Sequence, residues 1–500
     1  MKELTELAEV VNRNKVKSLH TLDSTDQDRV TEFYHMILDG EFKNDTEAAN
    51  HYFKSDAHDP RYRRLKNRLK DRLWNSVVFI DVNSPRYNDA QKAFYTCQKN
   101  LVIIKTLLGR NARRAGIDLI KRTLKFSIKY EVSEVTLELY RYLRRHHASK
   151  TGNKNLYQKY SVLVDEFKTI VEAENLVLDF ADHLSSLMAK RTRATKNYEE
   201  YASYAISIIK SISVDSYRFI WISKNITCNY YLHMRDYQNL IVEASYALST
   251  LNAKGHVSDQ FLGHFSLMRL IAYVQLSMAE EAESCFRECI DIYEYGSIGW
   301  YNTYDQYMLY LFRNEKYNAL EGIYLTVIKE VKFQYQTQKR KETWRTYEAY
   351  MYYLSMINKV DLKRTKELPK FRISKFLNNV PNFSMDKAGY NIPILIVQIL
   401  ILIITKKHDL LTDRIEAIEK YATRYLRKDN NFRSNCFIKM LLQIPKRHFH
   451  AKAVDRHAAP YLKKLKTVPL QTADQSFEIE IIPYETLWQY ALESLDNRSQ

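Results

Sequence analysis

The sequence predicts an all-helical chain, an α-solenoid of stacked helical hairpins, and three observations carry that prediction. A pair of small or aromatic residues spaced three apart returns about every 40 residues: Ala112/Ala115, Tyr157/Tyr160, Tyr198/Tyr201, Tyr237/Leu240, Ala279/Ala282 and Tyr317/Leu320, in steps of 45, 41, 39, 42 and 38. Each pair follows a polar break and opens an apolar run, as expected when one hairpin cannot cover its own apolar face and needs a neighbour on each side. Only 10 Gly and 9 Pro punctuate 500 residues, too few for a sheet-rich chain with frequent tight turns. Finally, 38 Tyr stand against 21 Phe and 5 Trp, many in helical register, where the ring fills a helix–helix groove and the hydroxyl reaches a polar partner.

Taken in order, residues 1–88 read as a basic helical N-terminal region. Ser24 with Gln27 and Asn44 with Glu47 are capping signatures, and Gly40 is placed to end the intervening helix. A helix starting near Pro60 carries Leu65, Leu69, Leu73, Val77 and Ile80 at regular spacing beneath a cationic face, a stripe that needs a packing partner. Residues 89–358 form the repeat array. Its expected helices begin with Ala90–Leu108, Ala112–Tyr130, Glu134–Arg145 and Tyr157–Ala189, with breaks at Gly109 and Gly152. The clearest hairpins are Tyr231–Leu248, Leu276–Ile290 and Phe312–Tyr324, in which a small or aromatic residue after the turn opens the second helix.

At these residues, over about 105 to 330, the chain resembles tetratricopeptide-like helical-repeat proteins, whose units read helix, short turn, then a helix opening with an aromatic-x-x-Ala pattern. The spacing is nearer 40 than 34 residues, and the unit-ending proline and most first-helix glycines are missing. The resemblance implies a concave surface for a peptide, a protein or another subunit. Tyr230, Tyr231, Tyr273, Tyr304 and Tyr310 are the candidate peptide contacts on it.

A linker-like break follows at 359–390, where Pro369 and Pro381 flank a basic stretch ending at Gly389. The C-terminal region, 391–500, should hold another hairpin, Ile392–Ile404 and Thr412–Leu426. Phe477, Ile479 and Ile481 then alternate with Glu478 and Glu480, a period of two that predicts a short extended segment before a helix bearing Leu487, Trp488, Ala491 and Leu495.

Charge is the strongest hint of a partner. The formal net charge is +17, and residues 54–150 hold 23 Lys or Arg against 9 Asp or Glu. Arg61, Arg63, Arg64, Lys66, Arg68, Lys70 and Arg72 lie on one expected helix, followed by Arg110, Arg113 and Arg114 and, later, Lys121, Arg122, Arg141, Arg144 and Arg145. Aligned, they would attract nucleic acid, an acidic protein or an anionic surface; scattered, they are a solvated face. The second basic region contains His448, His450 and His457, without a carboxylate or thiolate spaced to complete a metal site.

Cys285 and Cys289 share a helix face but alternate with Phe286 and Ile290, which favours small buried side chains. His146 and His147 stand at a helix end among cations. Five scattered Cys fit a reducing compartment, the start of the chain lacks the pattern of a secretory signal, and the most apolar run, Ile394–Ile404, falls short of the roughly 20 residues that span a bilayer. No phosphate loop, zincin helix or nucleophile elbow is present.

The expectation is a cytoplasmic, bacterial, non-catalytic scaffold or regulator without cofactor or metal, binding a protein or peptide partner, with a homo-oligomer as a further state. The alternatives are a nucleic-acid-associated protein using the basic N-terminal helices, and a helical enzyme or effector of unfamiliar type.

Overall fold

The computed structural model describes residues 1–14, 29–82, 87–189, 194–362, 371–378, 392–425, 432–470 and 480–496. Every regular element among them is helical, and the helices pack mostly against neighbours in sequence. Two compact units divide the chain, Met1–Ala173 and Glu174–Gln500.

In the first unit, Asp59 caps the helix Pro60–Val77 through the Arg61 amide at 2.7 Å, with the proline at its first turn, where the missing N–H costs nothing. Leu65, Leu69 and Leu73 are buried, and the stripe meets the helices Lys2–Arg13, Arg29–Leu38 and Asp45–Phe53. Asn44 caps the last of these, accepting from the Glu47 amide at 2.9 Å, and Gly40 takes the left-handed conformation after Leu38. The Ser24/Gln27 signature lies outside the described residues. A separate core joins the helices Asp89–Gly109, Arg113–Lys129 and Ser133–His146 to the start of Lys154–Ala189.

In the second unit the same turn recurs. Arg235, Ser277, Glu315, Asn358, Lys406 and His448 adopt positive φ at helix ends, in steps of 42, 38, 43, 48 and 42 residues. After each, an amide reaches back five residues: Asp236 to Tyr231 O, Met278 to Tyr273 O, Lys316 to Leu311 O, Lys359 to Leu354 O, Lys407 to Leu402 O and Phe449 to Ile444 O, at 2.9–3.3 Å. This closure satisfies carbonyls left open at a helix end and reverses the chain. Tyr237, Ala279 and Tyr317 each stand two residues beyond such a turn and open the next helical segment, so over these three pairs the sequence period is a record of the turn.

One apolar cluster runs from Leu270 to Leu495, with Trp300, Trp344 and Trp488 fully buried in it. Tyr293 wedges into it between two glycines. A Cβ at Gly299 would lie 2.2 Å from the Tyr293 ring, and one at Gly263 would lie 2.8 Å away.

The expected extended segment near the C-terminus is corrected here. Phe477–Ile479 lie outside the described residues, and Glu480–Ile482 form no strand before the helix Tyr484–Asp496. Glu480 is 1 % exposed. An inward carboxylate needs a cation, and Arg433 supplies it.

Candidate interaction surfaces

Of the ten arginines and lysines singled out as an anionic-partner surface, those on Pro60–Val77 divide by their neighbours. Lys66 Nζ donates to Asp45 at 2.6 Å, Lys70 meets Glu3 at 2.7 Å and Arg61 meets Asp59 at 2.8 Å. Asp45 also accepts from the Tyr62 hydroxyl at 2.6 Å and the Met1 amine at 2.8 Å. Burial alone would raise the Asp45 carboxyl, but the hydrogen bonds from Lys66, the amine and Tyr62 outweigh it and hold the group well below the usual carboxylate range. Arg72 is half-buried. Arg63, Arg64 and Arg68 are exposed and make no ion pair among the described residues. The remaining three, Arg110, Arg113 and Arg114, are exposed at the turn between Asp89–Gly109 and Arg113–Lys129, where Arg113 donates to the Asn111 side chain at 3.2 Å.

The five tyrosines also separate. Tyr230, Tyr231 and Tyr273 are half-buried. Tyr304 is buried against Phe286 and Trp300, and Tyr310 is fully buried, its hydroxyl donating to Ala279 O at 3.2 Å. Tyr304 and Tyr310 therefore join adjacent helices. Cys285 and Cys289 are buried too, Cys285 donating to Ser266 O at 3.2 Å. His450 caps Ala451–Lys466 through Nδ1, and His147 stacks on Tyr160.

Sequence reasoning missed a buried charge cluster in the second unit. Arg433, 3 % exposed, donates to Glu480 at 2.8 and 2.9 Å, to Glu485 at 2.6 and 3.0 Å, and to the Leu465 and Val468 carbonyls at 3.3 and 2.8 Å. Two carboxylates on one planar fork satisfy its donors and more than offset its single charge. Glu480 also accepts from the Tyr484 amide at 2.6 Å, and burial pushes its carboxyl up against the pull of Arg433. Arg313 ends the helix Ile298–Arg313 and donates to Glu480 O at 3.0 Å and Gln275 Oε1 at 2.9 Å; burial pushes its guanidinium down to about 10. A cavity of about 320 Å³ opens beside the cluster, lined by Ser277, Arg313, Arg433, Lys466 and Glu485 among others. Arg313 and Lys466 are each the last residue of a helix, where a cation complements the terminal carbonyls. This arrangement anchors the C-terminal helix to the unit.

No family model matches the chain, and neither a curated protein nor a solved structure matches it.

Proposed function

We propose that this chain is a non-catalytic helical-repeat scaffold or regulator that binds a protein partner through the outward faces of its helical pairs. The observation that supports this reading is the recurrent turn at Arg235, Ser277, Glu315, Asn358, Lys406 and His448, which joins helix after helix in one way and leaves each pair an outer face. Repeated pairs that bury one face and expose the other are suited to broad contacts. The test is affinity purification of the tagged full chain from its own cells, with and without nuclease. A protein recovered in near-equal amount after nuclease is expected; recovery of no protein, together with a turnover activity of the pure chain, overturns the reading.

A second reading rests on Arg63, Arg64 and Arg68, which stay exposed without carboxylate partners among the described residues. In that reading the helix Pro60–Val77 tracks nucleic-acid phosphates. Arg63→Ser/Arg64→Ser/Arg68→Ser would then weaken binding to all nucleic-acid sequences alike and flatten the salt dependence by about three units of slope. Unchanged affinity removes it.

A further inference from the structure

The helix Asp89–Gly109 is apolar on two sides. One side, with Ala93, Cys97 and Ile104, is buried in the core of the first unit. On the other, Phe94, Tyr95, Val102 and Ile103 are exposed, Val102 to 65 %. The spacing sets them in two adjacent rows, Phe94–Gln98–Val102 and Tyr95–Lys99–Ile103, each stepping by four residues and covering about 12 Å of axis. From residue 90 to 117 the chain holds six cations, Lys92, Lys99, Lys105, Arg110, Arg113 and Arg114, and no carboxylate. Lys92 pairs with Asp89 at 3.4 Å, and Lys99 sits 5.7 Å above the Phe79 ring. Lys105, Arg110 and Arg114 are exposed and make no ion pair among the described residues.

Deepening the protein-partner reading above, on which it rests, we infer that this face docks an acidic amphipathic helix of a partner protein. Rows stepping by four residues form a ridge that fits the groove of a second helix, and apolar residues of the partner would cover Val102 and Ile103. Its carboxylates would meet Lys99, Lys105 and the arginines at the helix end, giving charge complementarity around an apolar centre. Lys99 decides against a lipid surface, because it lies between Tyr95 and Ile103 and would carry its ammonium into the hydrocarbon with them. The aliphatic Val102 and Ile103 decide against nucleic acid, since they neither stack on bases nor neutralise phosphate. A second copy would set six cations against six, which is repulsive.

The probe is a fluorescein-labelled synthetic helix of about five turns, leucine at i, i+3, i+4 and i+7 and glutamate elsewhere. Its binding to the full chain is followed by anisotropy, beside a peptide of the same composition in scrambled order. Preference for the patterned peptide by about tenfold or more is expected, with a comparable loss in Val102→Glu and no change in the equally exposed control Val242→Glu. Helical circular dichroism of both variants should match the parent. Equal binding of the two peptides overturns the inference, as does patterned binding that Val102→Glu leaves intact. So does a Val102-dependent association with phosphatidylglycerol vesicles or with DNA in place of the peptide, or a dimer of the chain that Val102→Glu dissociates. If the purification above returns a protein equally well with Val102→Glu, the scaffold reading stands and this face is not its site.

Discussion

Tyr293 and Asp45 show how single side chains fix the two units. The Tyr293 ring occupies the space that a Cβ would need at Gly299, 2.2 Å from the ring. Gly299→Ala should therefore overpack the site and lower the stability of the second unit by about 1–3 kcal/mol, read by urea denaturation. Tyr293→Leu in the same chain should return part of that loss, because the two positions share one clash. Asp45 has a carboxyl pKa held below its unfolded value, chiefly by Lys66, the Met1 amine and Tyr62 acting against burial. Its stabilising contribution is complete above the unfolded value of about 4 and fades as pH falls from there toward the lower folded value. Asp45→Asn should flatten the acid side of the first unit's stability profile, measured by thermal melts at stepped pH; an unchanged profile would mean that the three donors add nothing.

At the scale of elements, the helix ends carry the specificity. Ser277 holds φ 58 at the turn between Asp259–Gln275 and Ala279–Ile292. A β-branched side chain is strained in that region, so Ser277→Val should cost about 1–3 kcal/mol. Ser277→Gly should raise stability by less than about 1 kcal/mol, relief of the left-handed backbone being partly offset by the entropy of a glycine in the unfolded chain. Chemical denaturation of the two variants side by side checks the pair of signs. The helix Tyr484–Asp496 is tied by a different device. Glu480→Ala would leave Arg433 paired with Glu485 but its Nε–H without an acceptor, and should destabilise the second unit by about 1–3 kcal/mol.

At the scale of the whole molecule, the chain divides into two units with separate apolar clusters. Hydrogen exchange should accordingly show the Glu480→Ala loss within residues 174–500, with protection in 1–173 unchanged. Equal loss of protection throughout would mean that the units unfold as one. The charge is divided as well, since 23 of the 76 Lys and Arg fall between residues 54 and 150. This excess leaves Arg63, Arg64 and Arg68 exposed after Lys66 and Lys70 have found carboxylates.

The sequence by itself determined the helices and many of their limits. Asp89–Gly109 and Ile392–Ile404 fall within a residue of their expected bounds, because apolar period, caps and breaks are local signals read along one chain. The period of about 40 residues was legible to Tyr317, and from Tyr237 to Tyr317 a small or aromatic pair marks the turn. At Asn358, Lys406 and His448 the same turn recurs without such a pair, because backbone hydrogen bonds close it whatever side chain follows. Tertiary structure alone decided which polar groups went inside. Glu480 lies inside, held by Arg433, 47 residues away in the chain. It decided also that Tyr304 and Tyr310 pack between helices, and that Phe94, Tyr95, Val102 and Ile103 face outward. An apolar residue in a helix declares that it favours a cover; only the arrangement of the other helices determines whether this chain supplies it.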